Sequence, residues 1–128
     1  MRYTFCMSRT IVGVLRGGAS SEYDLSLKTG ATMLDALPEN DYDVRDIFID
    51  KEGYWNARGM RVEPLRALSQ LDVVLNGLHG GAGEDGRVQR ILDAANIPYT
   101  GSSAHASALS LNKIHAGVTL KAAGIRMP

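Results

Sequence analysis

The chain has 128 residues, 45% hydrophobic and 22% charged, the profile of one ordinary globular domain and not of a disordered or fibrous chain. Fourteen Lys and Arg balance fourteen Asp and Glu, so no bulk field draws it to nucleic acid or to an anionic membrane. A single cysteine, Cys6, forms no intrachain disulfide, no Cys/His cluster has zinc spacing, the alternating opening Met1–Ser8 is no secretory signal, and no apolar run reaches the roughly 20 residues of a membrane helix; a cytoplasmic protein is expected.

Thr10-Ile-Val-Gly-Val-Leu15 is short, β-branched and apolar on both faces, the pattern of a buried parallel strand that stops at Gly17-Gly18. Ser20-Ser-Glu22 then reads as a helix start, and Leu27, Ala31 and Leu34 at i, i+4 and i+7 predict a first helix ending near Pro38. Gly30 inside it costs about 1 kcal/mol relative to Ala, so close packing against the sheet is the expected compensation. Tyr42–Ile49 is the second predicted strand, and Asp50–Arg61, with Trp55 and Gly59, reads as a hairpin or a loose surface excursion. Pro64 opens a short helix carrying Leu65, Leu68 and Leu71, and Asp72–Leu78 is the third strand. A helix over Gly86–Ala95 places Val88, Ile91, Leu92 and Ala95 on one face and stops at Asn96. Ile97–Thr100 is a short fourth strand, and the alanine-rich remainder is helical, from Ser103 to Leu111 and from Lys113 to Ala123, closed by Gly124.

Strands alternating with helices imply right-handed crossovers and a mostly parallel sheet covered on both faces, a three-layer Rossmann-like α/β fold. Ligands of such folds gather at the carboxyl ends of the strands. Gly17-Gly18 and His79-Gly80-Gly81 are therefore expected to face one crevice.

The first of these segments, Gly17 to Glu22, combines glycines that let a ligand approach the backbone with helix-start N–H groups that favour an anion. Glu22 stands where that anion would go, which suits an ammonium group and hence an amino acid or amine better than a phosphate. From spacing alone, plain capping by Ser20 and Glu22 is the simpler reading. It is no dinucleotide fingerprint, because Ala19 and Glu22 fill positions that G-x-G-x-x-G reserves for Gly, which removes a nicotinamide oxidoreductase from contention. The second segment, His79 to Gly86, holds four glycines, an imidazole and two carboxylates. Ordering so many glycines costs more entropy than a plain connection warrants. His79 can donate to a carboxylate ligand while Glu84 or Asp85 fixes its tautomer; the alternative is a tight turn, and capping of the next helix is the better assignment for Asp85. His105 and His115 read as structural or solvent-facing, Lys113 as a surface lysine on spacing alone, and the scattered Tyr23, Trp55 and Tyr99 form no stacking platform for bases.

Taken together, Gly17-Gly-Ala-Ser-Ser-Glu-Tyr-Asp-Leu-Ser26, His79-Gly-Gly-Ala-Gly-Glu-Asp-Gly-Arg-Val-Gln89, Ile97-Pro-Tyr-Thr-Gly-Ser102 and Ser107-Ala-Leu-Ser-Leu-Asn-Lys113 resemble the D-alanine–D-alanine ligases. The likeness runs from Val12 to Pro128 and covers only the amino-terminal, pre-ATP-grasp domain of that family, so residues 1–128 are expected to form that substrate domain. It implies an ATP-dependent condensation of two D-alanines for peptidoglycan synthesis, in which one carboxylate is phosphorylated and the second amine attacks the acyl phosphate. It further implies that Glu22 binds the ammonium of the first D-alanine in a pocket shared with Gly17, Gly18 and Ser20. By the same resemblance His79 lies beside the substrate carboxylate, Glu84 orients the imidazole, and Lys113 approaches the nucleotide phosphates. ATP with Mg or Mn would serve the full enzyme, with neither held tightly by this domain, and a homodimer is implied. Tyr23-Asp24 and Arg90 depart from the family pattern beside the ligands, which leaves D-lactate or D-serine open as second substrate. Because the chain stops at Met127-Pro128, where the family enters its ATP-grasp domain, this polypeptide alone is expected to be inactive. The competing reading is a free-standing amino-acid-binding or regulatory module.

Overall fold

The computed structural model describes residues 8–127, so Cys6, the opening alternation and Pro128 lie outside the described residues. The elements run β1 (Thr10–Gly17), α1 (Tyr23–Ala36), β2 (Tyr42–Ile49), β3 (Trp55–Ala57), β4 (Met60–Arg61), α2 (Pro64–Ala67), β5 (Val73–Asn76), α3 (Arg87–Ala94), α4 (Ala104–Leu111) and α5 (Lys113–Ala122).

The sheet has the order β4-β3-β2-β1-β5. Strand β1 lies inside it and pairs in parallel with β2, from Thr10 opposite Tyr42 to Gly17 opposite Ile49, and with β5 on its other edge. Its β-branched, unbroken apolar run fits a strand covered on both faces, and Val12, Val14 and Leu15 are fully buried. It continues past the predicted end at Leu15 because Gly17 closes the gap to β2. A Cβ at Gly17, whose φ is +90°, would lie 2.2 Å from the Ile49 carbonyl oxygen, and the next amide, Gly18 N–H, donates to that oxygen at 2.8 Å.

The Asp50–Arg61 segment resolves as a hairpin. Strands β3 and β4 add antiparallel to β2, and the two residues between them, Arg58 and Gly59, have φ of +53° and +74°, the positive pair that matches a tight turn to strand twist. Helix α2 opens with Pro64 at its first turn as expected, but is one turn long instead of reaching Leu71. Gln70 adopts φ +71° and ends the helical path, while Leu68 is still buried and Leu65 is left exposed. The predicted fourth strand is a single parallel bridge, Val74 to Tyr99. Val74 N–H donates to Pro98 O and Thr100 N–H returns to Val74 O; Pro98, lacking an N–H, cannot extend a ladder.

Helices cover both faces. Leu15, Ile47 and Val74 pack with Leu68, Val88 and Leu92 on the α2 and α3 side. On the opposite face Gly30 of α1 lies so near β1 that a Cβ there would stand 2.5 Å from Arg16 Cβ, the close packing expected of this glycine. The buried positions of α1 are accordingly Ser26 and Gly30, not Leu27, Ala31 and Leu34, which are half-buried. Helix α3 buries Val88 and Leu92 as expected, and also Gln89. Asn96 follows with φ +54° and Gly124 closes the last helix with φ +79°. This is the three-layer, mostly parallel Rossmann-like architecture expected from the sequence. No helix among the described residues is long and apolar enough to cross a membrane.

Candidate functional site

Both glycine segments leave the carboxyl ends of neighbouring strands and meet. Gly17, Gly18, His79 and Gly80 line one cavity of about 330 Å³, floored by Ile49, Trp55, Leu78 and Val88. A larger cavity, about 460 Å³, lies between β2, the hairpin and α2 and holds none of the candidate residues.

Ser20 is the pin between the two segments. Its hydroxyl donates to the His79 carbonyl oxygen at 2.7 Å and accepts the Glu22 N–H at 3.1 Å. Capping of α1, the simpler reading from spacing, is therefore not its role. Glu22 occupies the N-cap position but its side chain makes no capping bond, which leaves the carboxylate to reach across to the second loop. A Cβ on Gly80 would stand 2.6 Å from Glu22 Oε2 and 3.3 Å from Ser20 Oγ. The absent side chain is what makes room for the acid, and the backbone of Gly80, at φ 65° and ψ 173°, lies in a region open essentially to glycine alone.

Four amides of the first segment have internal acceptors: Gly17 N–H on Ser26 Oγ, Gly18 N–H on Ile49 O, Ser20 N–H on Gly18 O and Glu22 N–H on Ser20 Oγ. The other two, Ala19 and Ser21 N–H, have no acceptor among the described residues. Glu22 is exposed and pairs with no cation among the described residues. On the second segment the Gly80 N–H finds no acceptor among the described residues. Ser20 and Glu22 do not line the cavity themselves; the unpaired Glu22 carboxylate stands beside Gly80, which does, so an acid, a free donor and an imidazole meet at this loop tip, the polarity a small zwitterion requires.

His79 does not take its partner from Glu84. The imidazole Nε2 lies 2.8 Å from Thr29 Oγ1 on α1, while Glu84 is exposed: His79, three residues past the end of β5, turns its side chain to α1. Asp85 is not the cap assigned to it: Gly86 holds the N-cap position of α3 with no side-chain capping bond, and Asp85, one residue earlier, accepts the Arg87 N–H at 2.9 Å and Arg87 Nε at 2.6 Å. Lys113 is exposed at the first turn of α5, where Asn112 caps by accepting the His115 N–H; it does not line the crevice cavity. His105 and His115 are exposed.

Sequence reasoning missed Ser26 and Thr29. Ser26 Oγ is completely buried, donates to Gly77 O at 2.8 Å and accepts Gly17 N–H at 2.9 Å, so it ties the ends of β1 and β5 together beneath the crevice. The signal was present: Glu22, Ser26 and Thr29 recur at i, i+4 and i+7, one stripe of α1, in polar residues where an apolar stripe was sought. Beside them Tyr23 meets Phe48 edge-on at 6.0 Å and carries Lys51 Nζ 4.9 Å from its ring centre. Burial first, then Asp50, Asp24 and Glu52, raise the Tyr23 phenol above its ordinary value, with Arg16 opposing.

Among the described residues no group of three or more His, Cys, Asp or Glu is placed to hold a metal ion. Lys113, the one phosphate-directed cation expected from the sequence, lies at the start of α5 and not on the crevice cavity.

Comparison with known proteins follows this geometry. A D-alanine–D-alanine ligase from Azorhizobium caulinodans is 42% identical over 117 residues, covering 91% of this chain and 35% of that protein. Among solved structures, the VanG D-Ala:D-Ser ligase from Enterococcus faecalis superposes with TM-score 0.81 at 28% identity, over 94% of this chain and 43% of that one. The Bacillus anthracis D-alanine–D-alanine ligase complexed with ATP gives 0.78 at 32% identity, over 94% and 37%. The chain spans 33% to 41% of the length of the curated relatives it matches. The profile of one family, described as D-ala D-ala ligase N-terminus, matches residues 11–66 and 56–102, most of the sheet and both glycine segments, and the chain belongs to that family.

Proposed function

We propose that the crevice holds D-alanine as a zwitterion, its ammonium on Glu22 and its carboxylate against the His79–Gly80 tip, as the substrate-binding part of an ATP-dependent ligase that joins two D-alanines for peptidoglycan synthesis. The observation that carries this reading is the unpaired Glu22 carboxylate, seated 2.6 Å from where a Gly80 Cβ would be on the loop that bears the imidazole. Opposite charges held at two fixed points on one small molecule, with the α-carbon between them, distinguish D from L by where the methyl must go. The names of the relatives favour this reading over the free-standing module.

The work of these residues is binding and orientation. Holding two reactants in near-attack geometry removes up to roughly 7–11 kcal/mol from a barrier, and His79 with the Gly80 N–H would fix the first carboxylate while Glu22 keeps its amine out of reaction. ATP, with Mg or Mn, would supply carboxylate activation in the full enzyme. The 128-residue chain alone is accordingly proposed to bind without turnover. A homodimer and a cytoplasmic location belong to the same proposal, the former checked by light scattering.

The test is an amide chemical-shift titration of the chain with D-alanine and, separately, L-alanine. D-alanine is expected to move the resonances of residues 17–22 and 79–81, L-alanine much less, and Glu22→Gln to weaken the response about tenfold, as loss of a charge-assisted bond requires. Equal response to both enantiomers, or an unchanged response in Glu22→Gln, overturns the assignment.

A further inference from the structure

Thr29 lies in the middle of α1, where a threonine hydroxyl ordinarily bonds back to the carbonyl four residues earlier. One turn on, Thr32 does this, donating to Lys28 O at 3.1 Å. Thr29 makes no such bond among the described residues. Its Oγ1 lies instead 2.8 Å from His79 Nε2, fifty residues away in sequence. Two hydrogen arrangements fit that distance. If Thr29 accepted from an Nε2–H, its own hydroxyl hydrogen would need a further acceptor, and none is provided among the described residues. If Thr29 donates to a bare Nε2, its hydroxyl hydrogen is bonded within the fold and the one unpartnered hydrogen is carried by the imidazole Nδ1, which meets no described residue and is left for a ligand.

We propose that Thr29 is the positioning residue of His79: its hydroxyl holds Nε2 and thereby sets the Nδ1–H tautomer, the form that offers a donor to a substrate carboxylate. This rests on the zwitterion reading for its purpose, but not for its geometry. An imidazole free in water prefers the proton on Nε2, so an Nδ1–H tautomer is something the fold must impose. The arrangement also explains why α1 carries a hydroxyl on its sheet-facing stripe: the same helix that presents Glu22 to the ammonium then orients the group for the other end of the molecule. Glu22 at the N-cap and the hydroxyl that orients His79 are thus both placed by α1.

The experiment is long-range 1H–15N spectroscopy of the histidine rings in the 128-residue chain, wild type, Thr29→Val and Thr29→Ser, followed by D-alanine titration of each. His79 of the wild type is expected as Nδ1–H. Thr29→Val keeps the branched shape and removes the hydroxyl, so Nε2–H should appear and D-alanine should bind roughly three- to tenfold more weakly, the range for one lost hydrogen bond. Thr29→Ser should restore both readouts. A Val variant that keeps the wild-type tautomer overturns the proposal, as does a folded Ser variant that behaves like Val. If the tautomer follows the hydroxyl but no variant, wild type included, responds to D-alanine, the coupling of Thr29 to His79 stands and the zwitterion reading falls.

Discussion

Replacing Gly80 by Ala separates two effects that the structure places at one residue. The backbone there sits at φ 65° and ψ 173°, a conformation that costs a residue with a Cβ on the order of 1–3 kcal/mol. The new methyl would also lie 2.6 Å from Glu22 Oε2. A carboxylate at the end of a flexible side chain gives way for about 0.5–1.5 kcal/mol by leaving its rotamer, so the clash is relieved by moving Glu22 and not by unfolding the loop. Stability should then fall by about 1–3 kcal/mol, nearly all of it backbone strain. D-alanine binding should fall as well, because the displaced acid no longer meets the ammonium. A bond to a charged group is worth about 1.5–3 kcal/mol, and since Glu22 is exposed the lower end applies, roughly tenfold in affinity. Gly59→Ala is the control. It has a similar φ of +74° but nothing within 4 Å of its added Cβ, so it should cost about 1 kcal/mol and leave D-alanine affinity unchanged. Urea midpoints and amide-shift titrations measure the two quantities separately. A folded Gly80→Ala protein that binds D-alanine as the wild type does would refute the placement of Glu22.

Ser26→Ala leaves the Gly17 N–H and the Gly77 carbonyl without the partner Ser26 provides at a fully buried position; at about 1–3 kcal/mol for each orphaned group, a loss of about 2–6 kcal/mol is expected in urea unfolding, and less than about 1 would contradict the staple. Asp46→Asn removes the bidentate pair with Arg16, whose side chains are 25% and 42% exposed, so it should cost below about 1 kcal/mol, with the difference shrinking in molar salt; a salt-independent loss would place the effect in packing. Burial, then the hydrogen bond to Asp93, raise the Tyr99 phenol above its ordinary 10.0. The folded state therefore keeps this proton longer than the unfolded chain; the stabilisation is present below pH 10 and is lost as pH rises through the raised value. Tyr99→Phe should flatten that alkaline decline in denaturation midpoints, and an identical decline would sink the assignment.

The legible parts of the fold are those in which one element's own period decides its burial. Helix α3 shows this best: Val88, Ile91, Leu92 and Ala95 meet the core from a single face, and the apolar run of β1 could only be a covered parallel strand. The hairpin turn was less legible because Arg58 is an uncommon residue for φ +53°, and the fourth strand was over-read because Pro98 removes the donor that a ladder needs. Helix α1 was misread in its facing, and the reason bears on the site. Gly30 lets the helix approach β1 until Arg16 Cβ is in contact distance of any side chain there. Residues on that stripe must therefore be small or must bond to what they meet, and near the strand ends they meet backbone: Gly17 N–H, Gly77 O and, through His79, the crevice itself. A search for apolar spacing passes over such a stripe and finds the half-buried leucines beside it.

The same constraint explains which candidate residues the structure joins. Glu22 and Thr29 are carried by one helix, so their separation is held by helix geometry, whereas Glu84 rides on a glycine-rich turn whose direction no local rule sets. Contacts such as Thr29 with His79 or Ser20 with the His79 carbonyl link residues fifty or more positions apart, and only the parallel pairing of β1 with β5 brings them together. Motif reasoning could name the acid and the imidazole, because each sits in a segment whose composition is costly without a ligand. It could not name the residues that aim them, since a serine or threonine inside a helix has the same local appearance whether it bonds its own backbone or a side chain on another strand. The polar stripe at i, i+4 and i+7 of α1, beside the partly apolar one, is the sequence feature that distinguishes the two cases, because a buried hydroxyl with no local role must find its partner across the sheet.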